Sequence, residues 1–285
     1  MTLDAVDASG ILVETSEAGG SAAQLVVIGG GALPEVLGRR IALTRGPGSE
    51  PERPHGSLGS EGLDRAAVTL LRDALADPRA RDGIRTLEVP AGGPPMEVYL
   101  ELRRPVRELV IVGAGHIAQP LSRLGAALGF RVTILDDRPA FATRERFPEA
   151  YRVLRADFDA PFRDLRLHER SHILLVTRGH KYDYACLVRA LRLDPLPAYI
   201  GMIGSRRRVR ATYVQLLEDG IGRDLLDRIH APVGLDIGAE TPEEIAVAVA
   251  AELVLTHRGG TGTPLKDVER IRERYFMEGS REDEA

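Results

Sequence analysis

A chain of 285 residues, 44% hydrophobic and 28% charged, carries enough apolar side chains for one or two ordinary globular domains. Its net charge of −4 disfavours a general nucleic-acid surface, and its single cysteine, Cys186, excludes an intrachain disulfide and a cysteine-rich zinc site. No apolar run reaches membrane-spanning length and the start, MTLDAVDASG, is acidic rather than signal-like, so a cytoplasmic location with no membrane partner is expected.

Residues 1–104 read as a small α+β domain. Residues 11–15, 24–28 and 39–44 have strand character, and Gly29-Gly30-Gly31 interrupts the pattern. Residues 45–60 are rich in Gly, Pro and Ser and are expected to be loop. An amphipathic helix follows over 63–76, with Ala67, Leu70, Leu71, Ala74 and Leu75 on one face. Residues 86–89 and 97–102 read as further strands. The small-residue loop 56–61 runs into a helix and is a candidate anion site, although a plain capped helix start accounts for the same residues. Residues 103–107, RRPVR, form a hinge to the second domain, 105–285.

That second domain is organised by residues 108–139. A short apolar strand, 108–112, leads into Gly113-Ala114-Gly115-His116-Ile117-Ala118, a G-x-G-x-x-A turn. Ile117, Leu121, Leu124 and Leu128 then recur at helical spacing, Gly129 ends the helix, and 131–135 reads as a second strand closed by Asp136-Asp137. Each residue type has a reason in this order. Gly113 permits the tight turn, Gly115 allows backbone to approach a pyrophosphate, and Ala118 lets helix pack on strand. The helix N-terminus offers free N–H groups to an anion, and Asp136 or Asp137 stands where an acid receives ribose hydroxyls. An acid there favours NAD over NADP, yet Arg138 beside it keeps NADP open. The pattern also suits a Rossmann-shaped unit that holds a different ligand.

Strands and helices go on alternating: strands over 151–155, 171–177 and 198–202, helices over 182–192 and from the arginines at 206–208 to Gly220. The expected fold is therefore α/β, a Rossmann-like doubly wound parallel sheet with a smaller N-terminal α+β domain. Three chemically loaded loops, 113–116, 177–180 and 204–208, fall at strand ends, where ligands of such sheets bind. Gly204-Ser205-Arg206-Arg207-Arg208 is electrostatically odd, because cations at a helix N-terminus oppose its dipole. A bound phosphate would offset the mismatch; a solvated basic face is the other reading. His116 and His180 are candidates for acid–base chemistry, or satisfied loop histidines. The Gly-punctuated stretch 231–240 carries Asp236, a further catalytic candidate, and runs into Thr241-Pro242-Glu243-Glu244, a capping-box helix start. Capping does not explain Glu252, an acid within an apolar helix. Cys186 reads as a small buried residue, no metal-ligand set is visible, and the charged tail 280–285 is expected to fray.

These pieces, in this order, resemble the XdhC/CoxI family of xanthine dehydrogenase accessory proteins. The resemblance runs from about 97 to 256 and rests on LVIVGAGHIA (109–118), LGFRVTILDDRP (128–139), RFPEA (146–150), TRGHKYDYACL (177–187), YIGMIGSRRR (199–208) and APVGLDIGAETPEEIAVAVAAEL (231–253). It implies a cytosolic, often dimeric protein that binds molybdenum cofactor (molybdopterin), helps its sulfuration, and delivers it to an apo molybdenum hydroxylase of xanthine dehydrogenase type. A cysteine desulfurase is a second candidate partner. Such a factor resembles a chaperone more than a catalyst. The cofactor would meet Gly113, Gly115, His116, Asp136, Asp137, Arg138, Gly204, Ser205, Arg206 and Arg207. The N-terminal domain departs from the pattern. Where the family typically has a Gly-Gly-Gly-Cys-Val-Glu-like stretch, with the cysteine implicated in holding the cofactor, this chain has GSLGSE (56–61), so that position falls on Ser60 or is deleted. The Ser-Pro-Arg stretch usual in the family is replaced by GGSAAQ (19–24). Two other functions fit the residues: an NAD(P)-dependent oxidoreductase using His116 or His180, and a non-enzymatic nucleotide-binding paralogue.

Overall fold

The computed structural model describes residues 3–270 apart from 32, 33, 48, 49 and 78; the charged tail, 280–285, lies outside them. Helix α1 (Ala5–Glu17) precedes five antiparallel strands, β1 (Ser21–Gly30), β2 (Arg40–Arg45), β3 (Arg53–Gly56), β4 (Gly83–Val89) and β5 (Gly93–Arg103), in spatial order β3-β2-β1-β5-β4. Helix α2 (Glu61–Ala76) covers this sheet. On β5 the side chains alternate, with Met96, Val98, Leu100 and Leu102 buried, and they share one apolar core with Leu25, Val27, Leu71 and Leu75.

Two sequence expectations need correcting here. Residues 11–15 are not a strand but the second half of α1. The β-branched run of Ile11 and Val13 favours extended chain locally, but Asp4 caps the helix by accepting from Asp7 N at 2.8 Å, and Leu12 packs with Ala22 and Ala42. Tertiary burial at a spacing of four, Ala8 and Leu12, overrides the local preference. Residues 45–60 are not all loop either. They contain β3, which pairs with β2 alone and so tolerates Pro54 on a sheet edge.

The second sheet has six strands, β6 (Glu108–Val112), β7 (Arg131–Asp136), β8 (Arg152–Arg155), β9 (Ser171–Leu175), β10 (Tyr199–Met202) and β11 (Ile229–His230), all parallel and ordered β11-β10-β9-β6-β7-β8. Between and after them run α3 (Ala118–Ala127), α4 (His180–Ala190), α5 (Arg206–Glu218), α6 (Arg223–Leu226), α7 (Pro242–Arg258) and α8 (Leu265–Glu269). Leu109, Ile111, Val132 and Ile134 share a core with Leu121 of α3 and Val249 and Leu253 of α7. Val110, Val112, Ile173 and Met202 share another with Leu187 of α4 and Leu216 of α5. Both faces are thus covered, which is why the strands read as unbroken apolar runs. None of these helices is long and apolar enough to cross a membrane.

The chain adds β7 and β8 on one side of β6, then β9, β10 and β11 on the other. The reversal opens a crevice at the carboxyl ends of β6 and β9, the switch point where doubly wound sheets bind ligands. Helix α7 begins with the expected capping box: Thr241 Oγ1 accepts from Glu244 N at 3.2 Å and Glu244 accepts from Thr241 N at 3.0 Å. Glu252, unexplained by capping, accepts from Tyr199 Oη at 2.8 Å and from Gly234 N, and meets His230 Nδ1 at 2.6 Å. One buried carboxylate therefore ties the 231–240 loop to β10 and β11.

Candidate functional site

The G-x-G-x-x-A turn leaves β6 at the switch point. Gly113 has φ +110°, and an added Cβ would lie 2.5 Å from the carbonyl oxygen of Val176. Only glycine fits that position, for backbone and steric reasons together. Gly115 differs: nothing in the protein lies within 4 Å of where its Cβ would be. Gly115 lies just before α3, whose first turn has no side-chain cap for its N–H groups. A clear approach to uncapped N–H groups suits a phosphate.

The two aspartates after β7 have separate positions. Asp136 is buried. One of its oxygens accepts from Ala114 N at 2.7 Å and Arg138 Nη2 at 2.9 Å, the other from Arg138 N and Nε at 2.9 Å. Burial alone would raise this carboxyl, but the hydrogen bonds from Arg138 and Ala114 outweigh it and bring it down from 3.8 to about 2. Asp136 and Arg138 thus brace the glycine turn. Because the folded carboxyl is the stronger acid, its contribution is complete above about pH 5 and is lost as the pH falls through 3.8 to about 2. We expect about 2 kcal/mol of stability to disappear across that window. Acid unfolding followed by circular dichroism should show the loss in the wild type, with a flatter response in Asp136→Asn; identical acid profiles would contradict it.

Asp137 is half-buried at the rim and receives Arg178 in bidentate fashion, at 2.5 and 2.7 Å. Since β6 lies between β7 and β9, this ion pair crosses the end of β6 above the turn. Arg178 is held further by Tyr182 Oη at 2.8 Å and lies 4.3 Å over that ring. Arg146, from the RFPEA stretch, donates to Ala114 O at 3.1 Å, while its buried Nε has no partner among the described residues.

The loops after β9 and β10 meet in a polar cluster. Asp183 is completely buried in α4, where it accepts from Thr177 Oγ1 at 2.5 Å and Arg208 Nε at 2.5 Å. Arg208 Nη2 also reaches Thr177 O and Oγ1 at 3.2 Å. His180 opens α4, two residues earlier than the sequence pattern suggests, and its Nδ1 is 2.9 Å from Thr212 Oγ1. Thr212 Oγ1 donates its own hydrogen to Arg208 O at 3.1 Å, so toward His180 it is left to accept from Nδ1. His116 is exposed at the mouth of the turn.

The three arginines of the β10–α5 loop divide. Arg208 pairs with Asp183; Arg206 and Arg207 are exposed in the first turn of α5, which has no acid and is capped by Ser205 Oγ accepting from Arg208 N at 3.3 Å. Gly204 precedes that cap. Asp236 lies exposed in the 231–240 loop. The candidate anion loop at 56–61 closes on itself: Asp64 accepts from Ser57 Oγ at 2.7 Å and Leu58 N at 2.6 Å, and Ser60 caps α2 through Leu63 N.

The sequence marks the 177–180 loop but gives no role to Thr177 or Arg178, and it does not single out Asp183, or Arg146 as a brace of the turn. A signal for Asp183 existed. It stands at i, with Cys186, Leu187 and Ala190 at i+3, i+4 and i+7, all buried, so an acid occupies an apolar-face position of α4. Cys186 is fully buried, and burial pushes its thiol up to about 12.

Comparison with known proteins follows the same residues. Residues 109–253 match the model of the XdhC Rossmann domain. An uncharacterized protein of Escherichia coli, YqeB, is 31% identical over 216 residues, which cover 73% of this chain and 39% of that one. A probable xanthine dehydrogenase subunit of Bacillus subtilis is 31% identical over 175 residues, 61% of this chain and 50% of that one. A solved structure described as a xanthine dehydrogenase from Bacillus halodurans shares the fold, with a TM-score of 0.57 at 22% identity over 92% of this chain and 66% of its own. The chain spans half or less of the length of these curated relatives.

Proposed function

The chain belongs to the XdhC family, and from that membership we propose that it is an accessory factor that holds a phosphorylated cofactor, molybdopterin or its molybdenum form, and passes it to a xanthine dehydrogenase-type hydroxylase. The observation that carries this reading is the open cradle at the switch point. Gly115 has free space above it, uncapped N–H groups open α3, and Arg206 and Arg207 bring two exposed cations to the carboxyl end of β10, one strand beyond β9 on the same edge of the sheet.

The donor set fits the phosphate end of such a cofactor. The 115–117 turn and the start of α3 at Ala118 and Gln119 would supply backbone N–H groups, Arg206 and Arg207 bidentate charge, and Asp137 an acceptor for ring nitrogens or hydroxyls once Arg178 releases it. Asp136, Arg138 and Arg146 keep the turn in shape rather than touch the ligand. The fit does not extend to a thiolate for the metal: Cys186 is buried among apolar side chains and Ser60 is a helix cap. Delivered to the hydroxylase, the cofactor supplies a redox-active molybdenum centre; this chain binds, shields and releases it. A homodimer and a cysteine desulfurase partner belong to the same proposal.

Activation of an apo hydroxylase by molybdenum cofactor tests the reading. The chain should raise the activation rate, and Arg206→Ala with Arg207→Ala should remove the gain. Equal activation without the chain would overturn it. So would steady NAD(P)H oxidation with small carbonyl substrates, which would give His180 Nε2 a proton-transfer role in an oxidoreductase.

A further inference from the structure

At the opposite, amino ends of the parallel strands lies another cleft, of about 1010 Å³, with walls from both sheets. The first sheet and α2 contribute Leu75, Leu102 and Arg103, and the second domain contributes Arg170, Tyr199 and Arg258. Seven arginines and two histidines line it, against two acids, Asp82 and Glu169. Some of this charge is matched: Arg45 pairs with Glu52, and Arg103 with Asp82 and Glu101. The deeper guanidinium groups donate only to carbonyls, while the carboxylates of Asp77 and Asp82 act on Arg104, and that of Glu169 on Arg170, from beyond ion-pair distance. Arg104 donates to the carbonyls of Ala74 at 2.9 Å and Asp77 at 2.8 Å, Arg107 to Leu128 O at 3.0 Å, and Arg170 to Pro105 O at 2.8 Å. Arg107 is held besides over the Phe130 ring, at 4.5 Å. Carbonyls fix the direction of a guanidinium but leave its charge in place. Among the described residues none of the three is in an ion pair.

Concentrating half-buried cations in this way costs stability unless an anion joins them. The cost shows on the groups themselves. Burial, and then the neighbouring guanidinium groups, lower the proton affinity of Arg107, Arg170 and His257. The rest of the lining is mixed: Leu75, Leu102 and Tyr199 are apolar or aromatic, and Ser21 and Thr256 are polar. A cleft of this size, with fixed cations beside Leu75, Leu102 and the Tyr199 ring, suits a small charged ligand that carries a ring better than a protein surface.

We infer that this interdomain cleft is a second ligand site, taking a phosphorylated organic anion of nucleotide size whose charged end meets Arg104, Arg107, Arg170 and Arg258. It stands apart from the fingerprint crevice, at the other ends of the same strands, and does not depend on the function proposed for that crevice.

The test uses the full chain carrying Gly115→Val, so that the fingerprint crevice is closed. Pyrophosphate serves as a probe of charge, and ADP as a probe of charge plus ring. Calorimetry should show both binding, ADP the tighter, and Arg258→Gln should weaken both at least tenfold. Arg258 is exposed and is in no ion pair among the described residues, so that variant should fold; Arg107→Gln is the second variant. By NMR, pyrophosphate should move the His257 titration upward, because it screens Arg107, Arg258, Arg170 and Arg81, the cations that act on that ring. Absence of binding by either probe would overturn the assignment, as would affinity indifferent to Arg107 and Arg258. Binding of a glutamate-rich peptide with neither small probe bound would make the cleft a protein-docking surface and overturn it too.

Discussion

Gly115→Val is expected to abolish ligand binding while leaving the protein folded. An isopropyl group there meets no protein atom within 4 Å of its Cβ position and instead fills the space over the first turn of α3. We expect affinity for the phosphorylated ligand to fall at least about 100-fold, roughly 2.7 kcal/mol, with unfolding free energy changed by no more than about 0.5 kcal/mol. Gly113→Ala should do the reverse. It places a methyl group 2.5 Å from Val176 O at φ +110°, so strain and overpacking should together cost about 2–5 kcal/mol of stability. Denaturant titration beside calorimetry separates the two glycines. A folded Gly115→Val protein that binds as tightly as the wild type would remove the turn from the ligand site.

Arg208→Ala should be among the most damaging single changes outside the apolar core, at about 3–5 kcal/mol, because it strands the completely buried Asp183 carboxylate without its counter-ion. Its two neighbours predict the opposite. Arg206 and Arg207 lie exposed against the positive end of the α5 dipole, so replacing both with Ala should leave stability unchanged or raise it by up to about 1 kcal/mol. The same double variant should weaken a phosphate ligand by about 3 kcal/mol, the scale of two hydrogen bonds to charged groups. Stability held or gained together with binding lost marks residues retained for function. If both arginines prove neutral for binding, they are a solvated surface, and the phosphate reading of this loop fails.

The sequence made the second domain legible because its constraints are local. A turn at φ +110° admits glycine, parallel strands covered on both faces show as apolar runs, and a capping box is written in four consecutive residues. What stayed hidden depends on partners distant in the chain. Helix α1 exists because Leu12 finds Ala22 and Ala42, against the local preference of its own β-branched residues. Which aspartate of the 136–137 pair braces the turn follows from Arg138 folding back on Asp136, while Asp137 meets Arg178 from 41 residues away. Glu252 looked out of place in an apolar helix until its partners, Tyr199, His230 and the Gly234 N–H, came together. The arginine triplet reads as one basic feature in sequence, yet it holds one half-buried arginine paired with a buried carboxylate and two exposed cations.

The identity of the bound ligand tests the central claim most directly. The protein should be purified without oxygen, denatured, and the released small molecules measured by mass spectrometry with molybdenum analysis alongside. The account predicts a phosphorylated pterin, with or without molybdenum, that is lost from the Gly115→Val protein. Recovery of NAD or NADP with no pterin and no molybdenum, again lost from Gly115→Val, would contradict it and assign the crevice to nucleotide chemistry.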